Sequence, residues 1–329
     1  MMFDSENLLE VRHLTTAFET ERGLLRAVDD VSFVVPRGAC VGIVGESGCG
    51  KSVTAMSLMR LLPRPSGRIL SGEVLFEGED VLKMSPRKLQ ELRGGRVGVI
   101  FQEPMNALNP VHTIGSQIAE TLMLHRDMGV DAAWHEAINL LKYVKIPSPE
   151  QRVLEYPGSL SGGMRQRVVI AMALACRPSL IIADEPTTAL DVTVQQQILA
   201  LLRDLRTEMG ASSLLITHDL GVIAQHCDRV LVMYAGRIVE SAPVEELFAN
   251  PRHAYTKALL AAMPRRQYAR KSHLPTIPGQ VSAIRDYAEG CRFCQRMGVP
   301  ASLLNTRPPV VEVAPGHRVE ACPRCAELS

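Results

Sequence analysis

"CVGIVGESGCGKSVTAMSLMRLL", residues 40–62, sets an apolar run, a glycine-rich loop and a helical pattern end to end. The run at 40–44 is almost wholly apolar, as a strand buried on both faces requires. The loop at 45–52 fits G-x-x-x-x-G-K-[ST], and the strand before it and helix after it are the context that makes that pattern a phosphate-binding loop. Gly45, Gly48 and Gly50 let the backbone curl until successive N–H groups face phosphate oxygens. Glu46, Ser47, Cys49 and Val53 complete the binding stretch. The helix opening at Lys51 adds the positive end of its dipole. Lys51 is placed to reach the β- and γ-phosphates of a nucleotide, and the Ser52 hydroxyl to ligate Mg²⁺.

Working outward, residues 8–44 read as β-rich, "GEVLFEGEDV" (72–81) as a hairpin and "RVGVIFQ" (96–102) as a strand. Residues 113–158 change to helical spacing with hardly any strand signal. Beyond them "SGGMRQRVVIAMALACRP" is a helix, "SLIIADEP" a buried strand, and "TVQQQILALLRDLRTEMG" a helix ended by Gly210. "SSLLITHD" is a further strand and "RVLVMYAGRIVE" a hairpin. Strands alternating with helices predict an α/β core with a parallel sheet and a helical insertion at about 104–158. A proline- and arginine-rich stretch, 263–279, reads as a linker into the tail.

The chain has 329 residues, 46% hydrophobic and 22% charged, with a formal net charge of +1. That balance offers no field for nucleic acid or acidic lipid. The longest apolar run, "VVIAMALAC" (168–176), is nine residues, against the roughly 20 that a membrane helix needs. "MMFDSENLLEVRH" has no basic region followed by an apolar one, so no signal peptide is expected.

"LIIADEP" (180–186) supplies the acid that a phosphate loop requires. Its strand carries Asp184 to the sheet edge, where a carboxylate holds Mg²⁺ directly or through water. Glu185 follows and points elsewhere, placed to polarise an attacking water. "LSGGMRQR" (160–167) is a second anion site: a hydroxyl, two glycines and a helix start. A single triphosphate hardly needs two such sites from one chain.

With these motifs in this order, residues 8–245 resemble the ATP-binding-cassette ATPases. The resemblance implies a P-loop cassette with a RecA-like parallel sheet core, an antiparallel β subdomain and a helical insertion. It implies that Gln102, in "FQEP", is the loop glutamine that senses Mg²⁺. Asp184 and Glu185 match the second Walker motif, "TALD" (188–191) with Asp191 the dimer-contacting loop, and His218 the switch histidine that contacts the γ-phosphate. Two cassettes of the family bind head to tail. Ser161, Gly162, Gly163 and Gln166 of one signature then meet the nucleotide on the other's Lys51. Phe18 falls near the family's adenine-stacking aromatic; the plainer reading is a core phenylalanine. Soluble cassette ATPases acting on ribosomes or DNA usually carry two cassettes or long coiled-coil insertions, and this sequence shows neither.

"GIVGESGCGKSVTAMSLMRLL", "IFQEPMNALNP" and "NPRHAYTKALLAAMP" look more closely like the ATPase subunits of dipeptide, oligopeptide and nickel importers. That resemblance implies ATP and Mg²⁺ as cofactors and two membrane permease subunits as partners. It also implies a second ATPase subunit forming a heterodimer, a solute-binding protein acting indirectly, and a place on the cytoplasmic face of the inner membrane. It divides the chain into a cassette at 1–248 and a small metal-stapled extension at 249–329.

Eight cysteines fall into two groups. Cys40, Cys49, Cys176 and Cys227 lie among apolar or loop residues and read as small buried hydrophobes. Cys291, Cys294, Cys322 and Cys325 form two C-x₂-C pairs separated by 27 residues, a pattern that closes four thiolates around Zn²⁺ or a [4Fe–4S] cluster. Family extensions carry an iron–sulfur cluster in some members; Cys291 and Cys322 fit that pattern, while Cys294 and Cys325 depart from it. Arg292, Arg296 and Arg324 are expected to offset the thiolate charge.

Overall fold

The computed structural model describes residues 6–21, 23–102, 107–188, 190–263 and 276–327. Part of the "FQEPMN" segment (103–106), Ala189 of "TALD" and most of the expected linker (264–275) lie outside the described residues.

In chain order, β1 (Asn7–Thr20), β2 (Gly23–Pro36) and β3 (Cys40–Val44) precede α1 (Lys51–Leu58). Then come β4 (Gly67–Phe76), β5 (Glu79–Asp80), α2 (Pro86–Leu92) and β6 (Val97–Ile100). The expected helical stretch holds α3 (Ile114–Arg126), α4 (Val130–Tyr143) and α5 (Pro149–Arg152). It leads to α6 (Gly162–Leu174), β7 (Leu180–Asp184), α7 (Val192–Met209), β8 (Ser212–Thr217) and α8 (Leu220–His226). The remainder is β9 (Arg229–Tyr234), β10 (Arg237–Pro243), α9 (Val244–Ala249), α10 (Ala254–Ala261), α11 (Arg292–Arg296), β11 (Val310–Ala314) and β12 (His317–Glu320). Among the described residues no helix is long and apolar enough to cross a membrane.

The chain resolves into two compact units. One is Met1–Leu9, Val35–Cys40 and Phe76–Ile216. Its β6, β7 and β8 run parallel, with Val97 opposite Leu180 and Asp184 opposite Ile216. All five residues of β7 are buried, which is why its sequence is continuously apolar up to Asp184. Helix α6 packs on β6, and also on α3, α4 and α7. Thr113 caps α3 by accepting the Ser116 N–H, and Gly210 ends α7 at φ 63°, a left-handed conformation that glycine takes without strain.

The other unit is Glu10–Val34, Val41–Leu75 and Thr217–Ser329. Here β3 pairs parallel with β9, Val44 opposite Val232. β9 and β10 form the predicted hairpin, joined by Ala235 and Gly236 at φ 47° and 86°. Positive φ at both central residues is what a tight two-residue hairpin demands.

The tail departs from the sequence reading. It is not a pendant piece: β11 and β12 form an antiparallel hairpin, and β12 adds to β10 with Glu240 opposite Val319. Cys291, Phe293, Cys294, Cys322 and Cys325 share one apolar cluster with Val44, Val232, Tyr234 and Tyr255. The strands were hidden because "VVEVA" is short and follows two prolines, and because β12 pairs with β10, a strand from far earlier in the chain.

Candidate nucleotide site and metal centre

The phosphate loop leaves β3 at Gly45 and ends at Gly50, the N-terminal cap of α1. A Cβ at Gly45 would sit 2.1 Å from the Met233 carbonyl oxygen, and one at Gly50 2.5 Å from that of Ala27. Gly50 also has φ 107°, so both crowding and conformation require glycine there. Lys51 is 5% exposed, and its Nζ donates to the Gly45 and Glu46 carbonyls at 2.8 and 3.1 Å. The ammonium is thereby aimed along the loop rather than out to solvent. Ser47 and Gly48 are exposed at the loop tip, Ser52 and Val53 are half-buried, and Cys49 is buried. Burial pushes the Cys49 thiol up, which makes it an inert packing residue.

Two groups outside the motif hold Glu46. Its N–H donates to the Tyr255 hydroxyl at 3.0 Å, and its carboxylate receives Arg296 Nη1 at 2.6 Å and Nη2 at 3.3 Å. In the same unit Phe18 is half-buried on β1, its ring edge against Gly67. His218 is exposed immediately ahead of Asp219, which caps α8 by accepting the Gly221 and Val222 N–H groups.

In the first unit Asp184 closes β7 and is 6% exposed. Glu185 follows at φ 45°, a strained conformation for a non-glycine residue. Its N–H donates to the Ile216 carbonyl at 2.9 Å, which ties the strained residue to the neighbouring strand. The Gln102 amide and the Thr188 hydroxyl both donate to Glu185 Oε2, at 3.3 and 2.8 Å. The carboxylate is therefore oriented from two sides. Ser161 and Gly162 are exposed at the start of α6, where Ser161 Oγ accepts the Met164 N–H at 3.4 Å. A Cβ on Gly163 would meet Val194 at 2.7 Å, so this glycine also serves the close approach of α7. Gln166 is buried, and neither side-chain amide atom finds a hydrogen-bond partner among the described residues. Asp191 is exposed and caps α7 through the Val194 N–H at 3.0 Å.

The four tail cysteines converge in the second unit. Cys294 Sγ lies 3.1 Å from Cys325 and 3.6 Å from Cys322, and Cys291 lies 3.7 Å from Cys325. All four sulfurs fall within 4.8 Å of one another, and every one of these residues is buried. Such a group has the donors and the closure to bind a metal. Hydrogen bonding from Cys325, aided by His253 and the Cys294 N–H and opposed by burial, pulls the Cys291 thiol down to about 3. Burial pushes Cys294 up to about 12.

Two of the three arginines expected near the thiolates pair with carboxylates. Arg292 donates to Asp29 Oδ2 at 2.5 Å and to the Ala235 carbonyl, while Arg296 is taken by Glu46. Their side chains leave α11 for carboxylates.

Residues 28–188 match the family described as ABC transporter, and residues 239–297 the one described as oligopeptide/dipeptide transporter, C-terminal region. A probable peptide ABC transporter ATP-binding protein of Sinorhizobium fredii, y4tR, is 51% identical over 98% of this chain and 96% of its own length. The chain belongs to the ATP-binding subunits of peptide ABC transporters. The oligopeptide transport ATP-binding protein OppD of Bacillus subtilis is 47% identical over 95% of this chain and 88% of that protein. Among solved structures, the ATP-binding cassette MJ0796, dimeric and bound to ADP and Pi, aligns with TM-score 0.64 at 27% identity, covering 72% of this chain and 98% of that one.

In this ABC subunit the sequence reading missed Tyr255, Thr188 and His253, and the grip of Arg296 on Glu46. Tyr255 and Arg296 lie 209 and 250 residues from Glu46, so no local pattern links them. Thr188 stands inside "TALD" and was legible only as part of that motif.

Proposed function

We propose that this chain is the ATP-hydrolysing subunit that energises a membrane importer of di- and oligopeptides. Supporting this are the peptide-import names of the relatives, together with their coverage of nearly the whole chain. Lys51 and the N–H groups of residues 45–53 bind the triphosphate, and Phe18 stacks on its base. Ser52, Gln102 and Asp184 are the residues that would hold Mg²⁺, which would supply neutralising charge for the phosphates. Glu185 orients and deprotonates water, and His218 donates to the γ-phosphate. Ser161, Gly162, Gly163, Gln166 and Asp191 face the nucleotide of a second ATPase subunit, here a heterodimer partner.

Two permease subunits at the inner membrane receive the resulting motion, and a solute-binding protein delivers the peptide to them. The cassette comprises 1–248, with its helical part at about 104–158, and 249–329 is the extension characteristic of these importers. Its four cysteines hold a metal.

The observation that most supports a hydrolytic role is the oriented carboxylate of Glu185, reached by both Gln102 and Thr188. A non-hydrolytic nucleotide-binding regulator has no use for it. Phosphate release by the purified complex tests the reading: no turnover with ATP and Mg²⁺ would refute it.

A further inference from the structure

The thiolates of the tail stand too close together for the cluster that the family resemblance suggests. Their measured Sγ separations are 3.1, 3.6 and 3.7 Å. A tetrahedral ion with bonds of about 2.3 Å sets its four sulfurs roughly 3.8 Å apart. A [4Fe–4S] cubane interposes an iron behind every thiolate and spreads them to roughly 6 Å.

The backbone turns that carry the sulfurs are hydrogen-bonded in place. The first turn is pinned by the Cys294 N–H on Cys291 Sγ at 3.4 Å. The second is pinned by the Cys325 and Ala326 N–H groups on the Cys322 carbonyl at 3.0 and 2.9 Å, and by the Ala254 N–H on the Cys325 carbonyl at 2.6 Å. Phe293, between the first two cysteines, packs edge-on against Tyr234 and tilted against Tyr255, with ring centroids 5.6 Å away in both cases. Any widening that moves these turns works against a close-packed core.

We infer that Cys291, Cys294, Cys322 and Cys325 hold one tetrahedral zinc ion instead of an iron–sulfur cluster, with His253 donating a hydrogen bond to the Cys291 sulfur. This rests on reading the four cysteines as metal ligands. Zinc suits a closed four-thiolate site because it has no geometric preference of its own and is borderline soft. Four thiolates around Zn²⁺ leave net negative charge in a buried place, and His253 answers it. That ring is fully buried. Its Nδ1 accepts the Tyr255 N–H at 3.1 Å, which puts the proton of the neutral ring on Nε2. Nε2 has no hydrogen-bond partner among the described residues, sulfur included, so the contact proposed here forms when the site is filled. A ring nitrogen of His253 lies within 4.8 Å of Cys291 Sγ, and Nε2 is the one left to face it. An N–H aimed at a ligating sulfur orients the ligand and tunes its basicity.

The test is elemental analysis and labile-sulfide assay of the full chain purified anaerobically in reductant, with an absorption spectrum. One zinc per chain, no labile sulfide and no visible band are expected. Iron with labile sulfide overturns the zinc assignment but leaves the cysteines as ligands, and a single iron without sulfide does the same. A metal-free protein with four titratable thiols, or with disulfides, overturns both. His253→Asn keeps an acceptor for the Tyr255 N–H but loses the donor to sulfur. It should weaken zinc retention against a competing chelator by about 10- to 100-fold, and shift the sulfur-to-cobalt charge-transfer band of the Co²⁺-substituted protein. An unchanged band and unchanged retention refute the His253 contact.

Discussion

Arg296, at the end of the helix that starts beside Cys291, grips both carboxylate oxygens of Glu46 in the phosphate loop, at 2.6 and 3.3 Å. The same guanidinium donates to the carbonyls of Ile277, Pro278 and Gly279. One side chain thus joins the cysteine-bearing tail to the second residue of the nucleotide motif. Fork-shaped pairing of this kind fixes geometry as well as contributing energy.

Arg296→Ala should therefore weaken ATP binding, although the residue lies outside every nucleotide motif. The expected rise in Kd is about tenfold, equivalent to about 1.4 kcal/mol. Arg296→Lys, which keeps charge but not the fork, should recover only part of it. Equilibrium titration with a fluorescent ATP analogue measures both.

Metal extraction should act through the same contact. Removing the metal frees the start of α11, so chelation in reductant should lower both thermal stability and ATP affinity in the unsubstituted protein. In Arg296→Ala it should lower stability but cost little further affinity, since residues in one network do not contribute additively. Full additivity of the two losses would separate the metal from the loop.

Asp29 supplies the pH dependence. Burial alone would raise its pKa, but Arg237, Arg292 and Arg307 outweigh that and hold it below the ordinary carboxylate range. A carboxylate depressed in the folded state stabilises fully above its unfolded value of about 3.9, and the contribution is lost as pH falls through the lower folded value. Asp29→Asn leaves Arg237 and Arg292, both over nine-tenths buried, without their shared counter-charge. At neutral pH the variant should be less stable by about 3–5 kcal/mol, and the difference should shrink in acid. Denaturant titrations from neutral pH down to the acid limit of folding check the sign.

Gly163 carries two demands that a double substitution separates. Gly163→Ala drives a methyl into Val194, which lies 2.7 Å from the position of that Cβ. Overpacking of this sort costs about 1–3 kcal/mol. Adding Val194→Ala should restore stability by making room. If the bare helix start also serves a partner's nucleotide, turnover should stay low in the double variant, as phosphate release would show.

The nucleotide motifs were legible because their chemistry is local. Gly45 to Ser52, Asp184 with Glu185, and Ser161 to Gly163 each do their work within one turn or strand end, so type and spacing suffice. Helices such as α3 announced themselves through their period. What escaped depends on contacts across long sequence separations. The pairing of β12 with β10, the Asp29–Arg237–Arg292 cluster and the grip of Arg296 on Glu46 leave no periodic trace. The cysteine spacing pointed to a metal without choosing one. The inference of zinc draws instead on the sulfur separations.

The most direct measurement is phosphate release by the chain assembled with its permease partners, beside the Glu185→Gln variant. The unsubstituted complex should hydrolyse ATP. The variant should bind ATP with similar affinity, accumulate the closed ATPase dimer and turn over at least about 100-fold more slowly, the usual contribution of a positioned general base. Turnover at the normal rate in Glu185→Gln would contradict the account.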